Sequence, residues 1–104
     1  MKTYRPLPDN VTIKKSNIEG LGLFATEDID ENVLLGTTHY VNRRDKKAGI
    51  IRTPLGGFIN HSENPNLIKK VKSNDESIEV KIRTLRPIQE GEELTLKYDW
   101  YKVD

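Results

Sequence analysis

Hydrophobic and polar residues alternate with a period of two along several short stretches of the chain, the spacing that sends successive side chains to opposite faces of a β-strand. The alternation is clear in Val11-Thr12-Ile13-Lys14 and in Leu67 to Lys72. It returns from Ile78 to Leu85, where Ile78, Val80 and Ile82 share one face and Glu79, Lys81 and Arg83 the other. Each stretch reads as a half-buried strand. The polar run Ser73-Asn74-Asp75-Glu76-Ser77 is a turn signal, so the second and third strands are predicted to form an antiparallel hairpin. Further on, Leu94, Leu96 and Tyr98 fall on one face and Thr95 and Lys97 on the other, which points Tyr98 inward. An inward tyrosine needs a partner for its hydroxyl or a ligand to touch. Glycines mark turns at Gly20-Leu21-Gly22, Leu55-Gly56-Gly57 and Glu90-Gly91-Glu92-Glu93. Residues 36–56 are the least patterned and read as a loop or a short helical turn; no internal repeat is visible.

Composition agrees with the strand pattern. The 24 β-branched residues face only two alanines, which tilts the chain from helix toward strand. A length of 104 residues fits one domain, 1–104, with a thin core inside a polar shell, as the mean hydropathy of −0.68 also indicates. The formal net charge of +1 sets up no global field toward nucleic acid or an anionic membrane, so any basic patch is local. Without cysteine there is no disulfide framework, thiol nucleophile or cysteine-ligated zinc, and with only His39 and His61 no structural metal is expected. Apolar runs reach only triplets such as Val33-Leu34-Leu35, so a soluble intracellular protein is expected.

Three segments stand out chemically. Gly20-Leu21-Gly22-Leu23-Phe24 places two glycines in a bend that enters an apolar strand, where backbone amides can approach a ligand with no side chain in the way. It has neither the third glycine of a dinucleotide fingerprint nor the Gly-Lys-Ser/Thr ending of a P-loop, and alone it is a plain turn. Phe58-Ile59-Asn60-His61-Ser62-Glu63-Asn64-Pro65-Asn66 follows two apolar residues with a dense run of hydrogen-bonding side chains and closes on a proline-stiffened turn. An Asx and Ser turn network capping a strand explains that segment equally well. Gly91 to Tyr101 brings together Tyr98, Trp100 and Tyr101. Glu92 and Glu93 could suggest a carboxylate dyad, but neighbours on a strand face opposite ways, so one of them reads as a solvated turn residue.

In this order, the Gly-x-Gly-x-Phe turn, the Phe-Ile-Asn-His-Ser-x-x-Pro-Asn segment and the Gly-Glu-Glu-Leu-Thr-x-x-Tyr-Asp ending resemble the SET-domain protein lysine methyltransferases. The match runs from Val11 to Tyr101 and looks most like the compact stand-alone SET proteins of viruses and some bacteria. The resemblance implies a mainly β, β-clip fold of several small curled sheets, with the C-terminal segment threading past the Asn-His-Ser strand in a knot-like crossing. It implies S-adenosylmethionine as cofactor and a protein lysine, in a histone-like tail or another protein, as substrate. Gly20, Leu21 and Gly22 would offer backbone contacts to the methionine part of the cofactor. Asn60 would use its side-chain amide there, and the His61 backbone would read the adenine. Tyr98 matches the catalytic tyrosine. Phe58, Tyr98 and Tyr101 would line the lysine channel, and Trp100 would cover the adenine.

Departures from larger members bear on substrate recognition. The insert that often builds the peptide-binding surface is reduced to residues around 36–56, and the zinc modules that flank the domain in some members have no counterpart in residues 1–104. A truncated channel wall and a thin core would both be relieved by a second copy, so a homodimer is expected. The rival reading is a catalytically silent SET-fold module that grips an acidic protein or nucleic acid through the basic stretch 43–52. The intact set of Asn60, His61 and Tyr98 favours the enzyme, in the cytoplasm or nucleus of a host cell.

Overall fold

The computed structural model describes residues 7–44 and 50–97. In chain order the elements are β1 (Val11–Lys15), β2 (Leu21–Ala25), β3 (Leu34–Asn42), β4 (Ile50–Arg52), α1 (Pro54–Gly57), β5 (Asn60–His61), β6 (Leu67–Ser73), β7 (Ser77–Thr84) and β8 (Glu93–Leu96). They form two four-stranded sheets, β1-β2-β8-β5 and β4-β3-β7-β6. The fold is mainly β, built of small sheets, as expected.

The three strands read from alternation are β1, β6 and β7. The hairpin is present, with β6 and β7 antiparallel from Leu67↔Thr84 to Ser73↔Ile78. Its turn is held by Asn74, whose Oδ1 accepts from the amides of Glu76 at 2.8 Å and Ser77 at 2.9 Å.

Residues 36–56 depart from expectation, since most of them are not loop. Strand β3 runs through Asn42 and is the longest in the fold among the described residues. Register shifts between Leu34 and Gly36 and between Thr37 and His39 break its face alternation twice, which hides the strand from a period-two reading. One consequence is that the polar Thr38 is buried, with its hydroxyl donating to the Val80 carbonyl at 3.2 Å. The predicted helical turn is α1, capped by Thr53, whose hydroxyl accepts from the Gly56 amide, with Pro54 at its first position. A side chain at Gly56 would run into Thr38, so α1 lies directly on β3.

The core consists of Val11, Leu23, Ala25, Ile29, Leu35, Leu55, Ile59, Leu67, Ile82, Ile88 and Leu94. Strand β8 sits between β2 and β5, so Thr95 is buried as well as Leu94 and both its faces are covered.

A short internal correspondence, invisible in the residues, ties the sheets together. Ile29 and Ile88 exchange amide–carbonyl hydrogen bonds at 2.7 and 2.8 Å. Three residues past each isoleucine comes a left-handed position, Asn32 at φ 63° and Gly91 at φ 86°. The Asn32 amide donates to the Thr84 carbonyl at 2.9 Å and the Gly91 amide to the Ala25 carbonyl at 2.8 Å. The return bonds match, Thr84 to Val33 and Ala25 to Glu92, each at 3.0 Å. Asparagine and glycine both tolerate that backbone, so the geometry repeats while the sequence does not.

Candidate active site

The site is assembled where β5 meets β8. Strand β5 is only two residues long and pairs in parallel with β8, Asn60 opposite Thr95 and His61 opposite Leu96. Upstream, buried Ile59 and the capped helix α1 anchor it. Downstream, Asn66 locks β8 in place: its Oδ1 accepts from the Thr95 amide at 2.8 Å and its Nδ2 donates to the Glu93 carbonyl at 2.8 Å. Asn66 is almost fully buried, and it satisfies backbone groups that the two-residue strand leaves over.

Against this frame leans the turn from Ser16 to Gly20, closed by a 2.8 Å bond from the Ser16 amide to the Gly20 carbonyl. Gly20 takes a left-handed φ of 47° there, and no atom stands within 4 Å of the place a side chain would occupy. The Ser16 hydroxyl donates to Glu93, with Oε1 at 2.8 Å and Oε2 at 2.9 Å, and accepts from the Ile18 amide at 2.9 Å. The Asn60 Nδ2 lies 2.9 Å from Glu93 Oε2 and 3.1 Å from Ser16 Oγ. It also meets the carbonyls of Glu19 at 3.1 Å and Leu21 at 3.2 Å. Four acceptors surround one NH2 group, so Asn60 Oδ1 is the end that faces away and has no partner among the described residues.

The structure thus brings Gly20, Leu21, Gly22 and Asn60 together. At Gly22 the space a side chain would take is filled by Glu93, whose Cδ would be 2.9 Å from a side-chain carbon there. Gly22 leaves room for a carboxylate of the same chain. The glutamate pair is corrected. They do diverge, but neither is a mere solvated turn residue: Glu92 takes bonds from Arg86 at 2.9 Å, the Gln89 amide at 3.0 Å and Asn66 at 3.2 Å. Burial alone would raise the Glu92 pKa; the bonds from Gln89, Arg86 and Asn66, with the Arg86 charge, outweigh it and hold the carboxyl below its ordinary value.

His61 carries a partly exposed ring with Nε2 3.7 Å from Glu63, and Phe58 is the half-buried cap residue of α1. Tyr98, Trp100 and Tyr101 lie outside the described residues, as does the segment of the expected crossing beyond Lys97. Of the basic stretch, residues 45–49 lie outside as well; Arg43 donates to Ser73 at 2.8 Å and Arg44 sits 3.2 Å from Glu76. Ser16, Glu93 and Asn66 were missed as site residues. The signal for Asn66 was present in the Pro65-Asn66 pair. That for Ser16 was its position four residues before Gly20, where a hydroxyl closes a turn. Among the described residues no group of three or more His, Asp or Glu could hold a metal, and no helix is long and apolar enough to cross a membrane.

Residues 36–99 match the family model for the SET domain. The chain belongs to the SET-domain family. It is 30% identical over 92% of its length to the Drosophila melanogaster histone-lysine N-methyltransferase trr, of which it covers 5%. It is 32% identical over 88% of its length to human histone-lysine N-methyltransferase 2D, of which it covers 2%. The chain therefore spans a small fraction of these curated relatives. In fold, this SET domain is similar to a Plasmodium falciparum chain assigned as a histone methyltransferase. The TM-score is 0.68 at 18% identity, covering 91% of this chain and 99% of that one. It also resembles a chain of the Chaetomium thermophilum Polycomb Repressive Complex 2 bound to S-adenosylmethionine, with TM-score 0.66 at 24% identity, covering 85% of this chain and 15% of that one.

The site suits a small cation. The Glu19 and Leu21 carbonyls and the Glu93 carboxylate are engaged by Asn60 Nδ2, which leaves the Asn60 oxygen, without a donor among the described residues, as the acceptor of the rim beside a carboxylate charge. An ammonium group, which offers three donors and a positive charge, complements such a rim.

Proposed function

We propose that this SET domain is an S-adenosylmethionine-dependent methyltransferase acting on the side-chain amine of a protein lysine. The observation that carries the reading is the amide of Asn60, whose NH2 end is held by four acceptors so that its carbonyl oxygen, without a donor among the described residues, is the end left for a ligand. Asn60 Oδ1 would accept from the α-ammonium of the cofactor, the backbone of Gly20 to Gly22 would contact its methionine part, and the His61 backbone would read the adenine. Membership of a family whose relatives are named histone-lysine N-methyltransferases supports the same class of substrate, a protein lysine.

The cofactor, when bound, supplies a sulfonium methyl group for in-line displacement by an amine, chemistry in which alignment is most of the catalysis. The chain's task is to deliver the lysine neutral and aligned. With an ordinary pKa near 10.4, only about 0.4% of a lysine side chain is neutral at pH 8. A water-poor channel lined by Phe58, Tyr98 and Tyr101, as the family resemblance implies, would disfavour the ammonium form by desolvation. The Tyr98 hydroxyl orients the amine by a hydrogen bond; a phenol with an ordinary pKa near 10 is a poor base at neutral pH.

Calorimetric titration of S-adenosylmethionine tests the first half. Asn60→Ala is expected to weaken binding about tenfold or more, about 1.4 kcal/mol. Methyl transfer to a pool of lysine peptides tests the second, with turnover lost in Tyr98→Phe. No heat of binding in the wild type would sink the enzyme reading.

Self-association is part of the proposal. In the second sheet the face that carries buried Ile82 and Leu67 also carries Val80, Val71, Ile78, Val41 and Ile50, interspersed with Lys69, Ser73, His39 and Arg52 by register. Ile50 is 70% exposed and Val71 58%, while Val80, Ile78 and Val41 are half-buried, so the apolar residues of this face run out of the core into solvent. A second copy laid on this face would bury them.

A further inference from the structure

We infer that Glu93 is a positioning residue for cofactor capture, acting through Asn60; what the cofactor is rests on the methyltransferase reading above. An asparagine can turn either end of its amide toward a ligand, and only its surroundings decide which. Of the four acceptors around Asn60 Nδ2, Glu93 is the charged one and makes the shortest contact, 2.9 Å. Hydrogen bonds to ionised acceptors are about twice as strong as neutral ones. Glu93 also takes the single hydroxyl proton of Ser16, which leaves the Ser16 oxygen able only to accept from Asn60 and from the Ile18 amide. Without the carboxylate, only the two neutral carbonyls of Glu19 and Leu21 would hold the NH2 end, against a Ser16 hydroxyl free to donate to an inverted Asn60 amide, so the orientation that keeps Oδ1 for the ligand would be held less firmly.

Two further observations point the same way. Gly22 sits where any side chain would displace Glu93, so a position in β2 is given up to admit the carboxylate. Its neighbour Glu92 is paired with Arg86, whereas among the described residues no lysine or arginine pairs with Glu93. The negative charge beside Asn60 is therefore left for a cation arriving at the site.

The experiment uses the full chain with Glu93→Ala, Glu93→Gln and Ser16→Ala. Glutamine keeps one acceptor oxygen for Asn60 or Ser16 and replaces the other with NH2, so it removes the charge and one of the two acceptors. The first readout needs no cofactor: the side-chain amide protons of Asn60 in a nitrogen-15 correlation spectrum, assigned by their loss in Asn60→Ala. They are expected to be well dispersed and slow to exchange in the wild type and in Glu93→Gln. In Glu93→Ala they collapse to averaged, fast-exchanging positions. The second readout is the S-adenosylmethionine Kd, expected to rise about tenfold or more in Glu93→Ala and about threefold in Glu93→Gln. Unchanged Asn60 amide signals in a folded Glu93→Ala, or a Kd within about twofold of wild type, overturn the inference. Should Glu93→Ala not fold, Ser16→Ala and Glu93→Gln decide between them: cofactor affinity unmoved in both overturns it. A wild type that takes up no S-adenosylmethionine refutes the methyltransferase reading instead, and the amide signals alone then decide the role of Glu93.

Discussion

Asn66 and Gly22 are the two single residues on which the site's geometry most depends, and they depend on opposite physics. Asn66 contributes groups: its amide satisfies a buried strand N–H and a strand carbonyl at 2.8 Å each. Truncation to alanine strands both, at about 1–3 kcal/mol for a buried unsatisfied group. Asn66→Ala is expected to lose about 2–3 kcal/mol in urea unfolding. A shift below about 0.5 kcal/mol would mean that β8 holds its place without it. Gly22 contributes an absence. Gly22→Ala forces the Glu93 carboxylate aside and breaks its bonds to Ser16 and Asn60, at about 1–3 kcal/mol, and the same variant is expected to weaken S-adenosylmethionine binding. Calorimetry and urea unfolding on one preparation check both effects.

Among the elements, what was legible in the sequence follows how regular each strand is. Strands β1, β6 and β7 pair without interruption along their shared edges, so their alternation survives into the residues. Strand β3 carries two register shifts and buries Thr38, and its pattern cannot be read by parity. The site was half legible for a related reason. Asn60 and the glycines lie in a recognisable order, but Ser16 and Glu93 join them only through contacts 77 residues apart, which no local spacing reveals. Those irregular elements also carry the pH dependence. On β3, burial first, then the charges of Arg52 and Lys69, lower the pKa of His39 from its ordinary 6.5. A histidine whose folded pKa lies below its unfolded one contributes stability that is full above about pH 6.5 and lost as pH falls toward the folded value. In the turn before β8, Glu92 behaves likewise at lower pH: its contribution is present above the ordinary carboxylate range and lost as pH drops through the depressed folded value. The urea midpoint is therefore expected to fall in two stages on acidification. His39→Gln should flatten the upper stage and Glu92→Gln the lower; a wild-type midpoint flat from pH 7.5 to 5.5 would dismiss the first assignment.

For the whole molecule, the two sheets divide the labour unequally. The sheet β1-β2-β8-β5 carries Ser16's turn, Asn60 and Glu93, and covers its central strand on both faces. The sheet β4-β3-β7-β6 is covered at the end near Ile82 and Leu67 and open at the end near Ile50 and Val71. Water contact at the apolar residues of that open end costs about 25 cal/mol per Å² left unburied, a sizeable loss for a core this thin. Pairing two chains through these residues, as proposed, would recover it without touching the site sheet. Sedimentation at micromolar concentration is accordingly expected to give a dimer that Ile50→Lys combined with Val71→Lys converts to monomer. Both side chains already face solvent, so the double variant should unfold within about 0.5 kcal/mol of wild type once both are compared as monomers. A wild type that sediments as a monomer at that concentration removes the dimer and leaves these apolar residues open to a partner of different sequence.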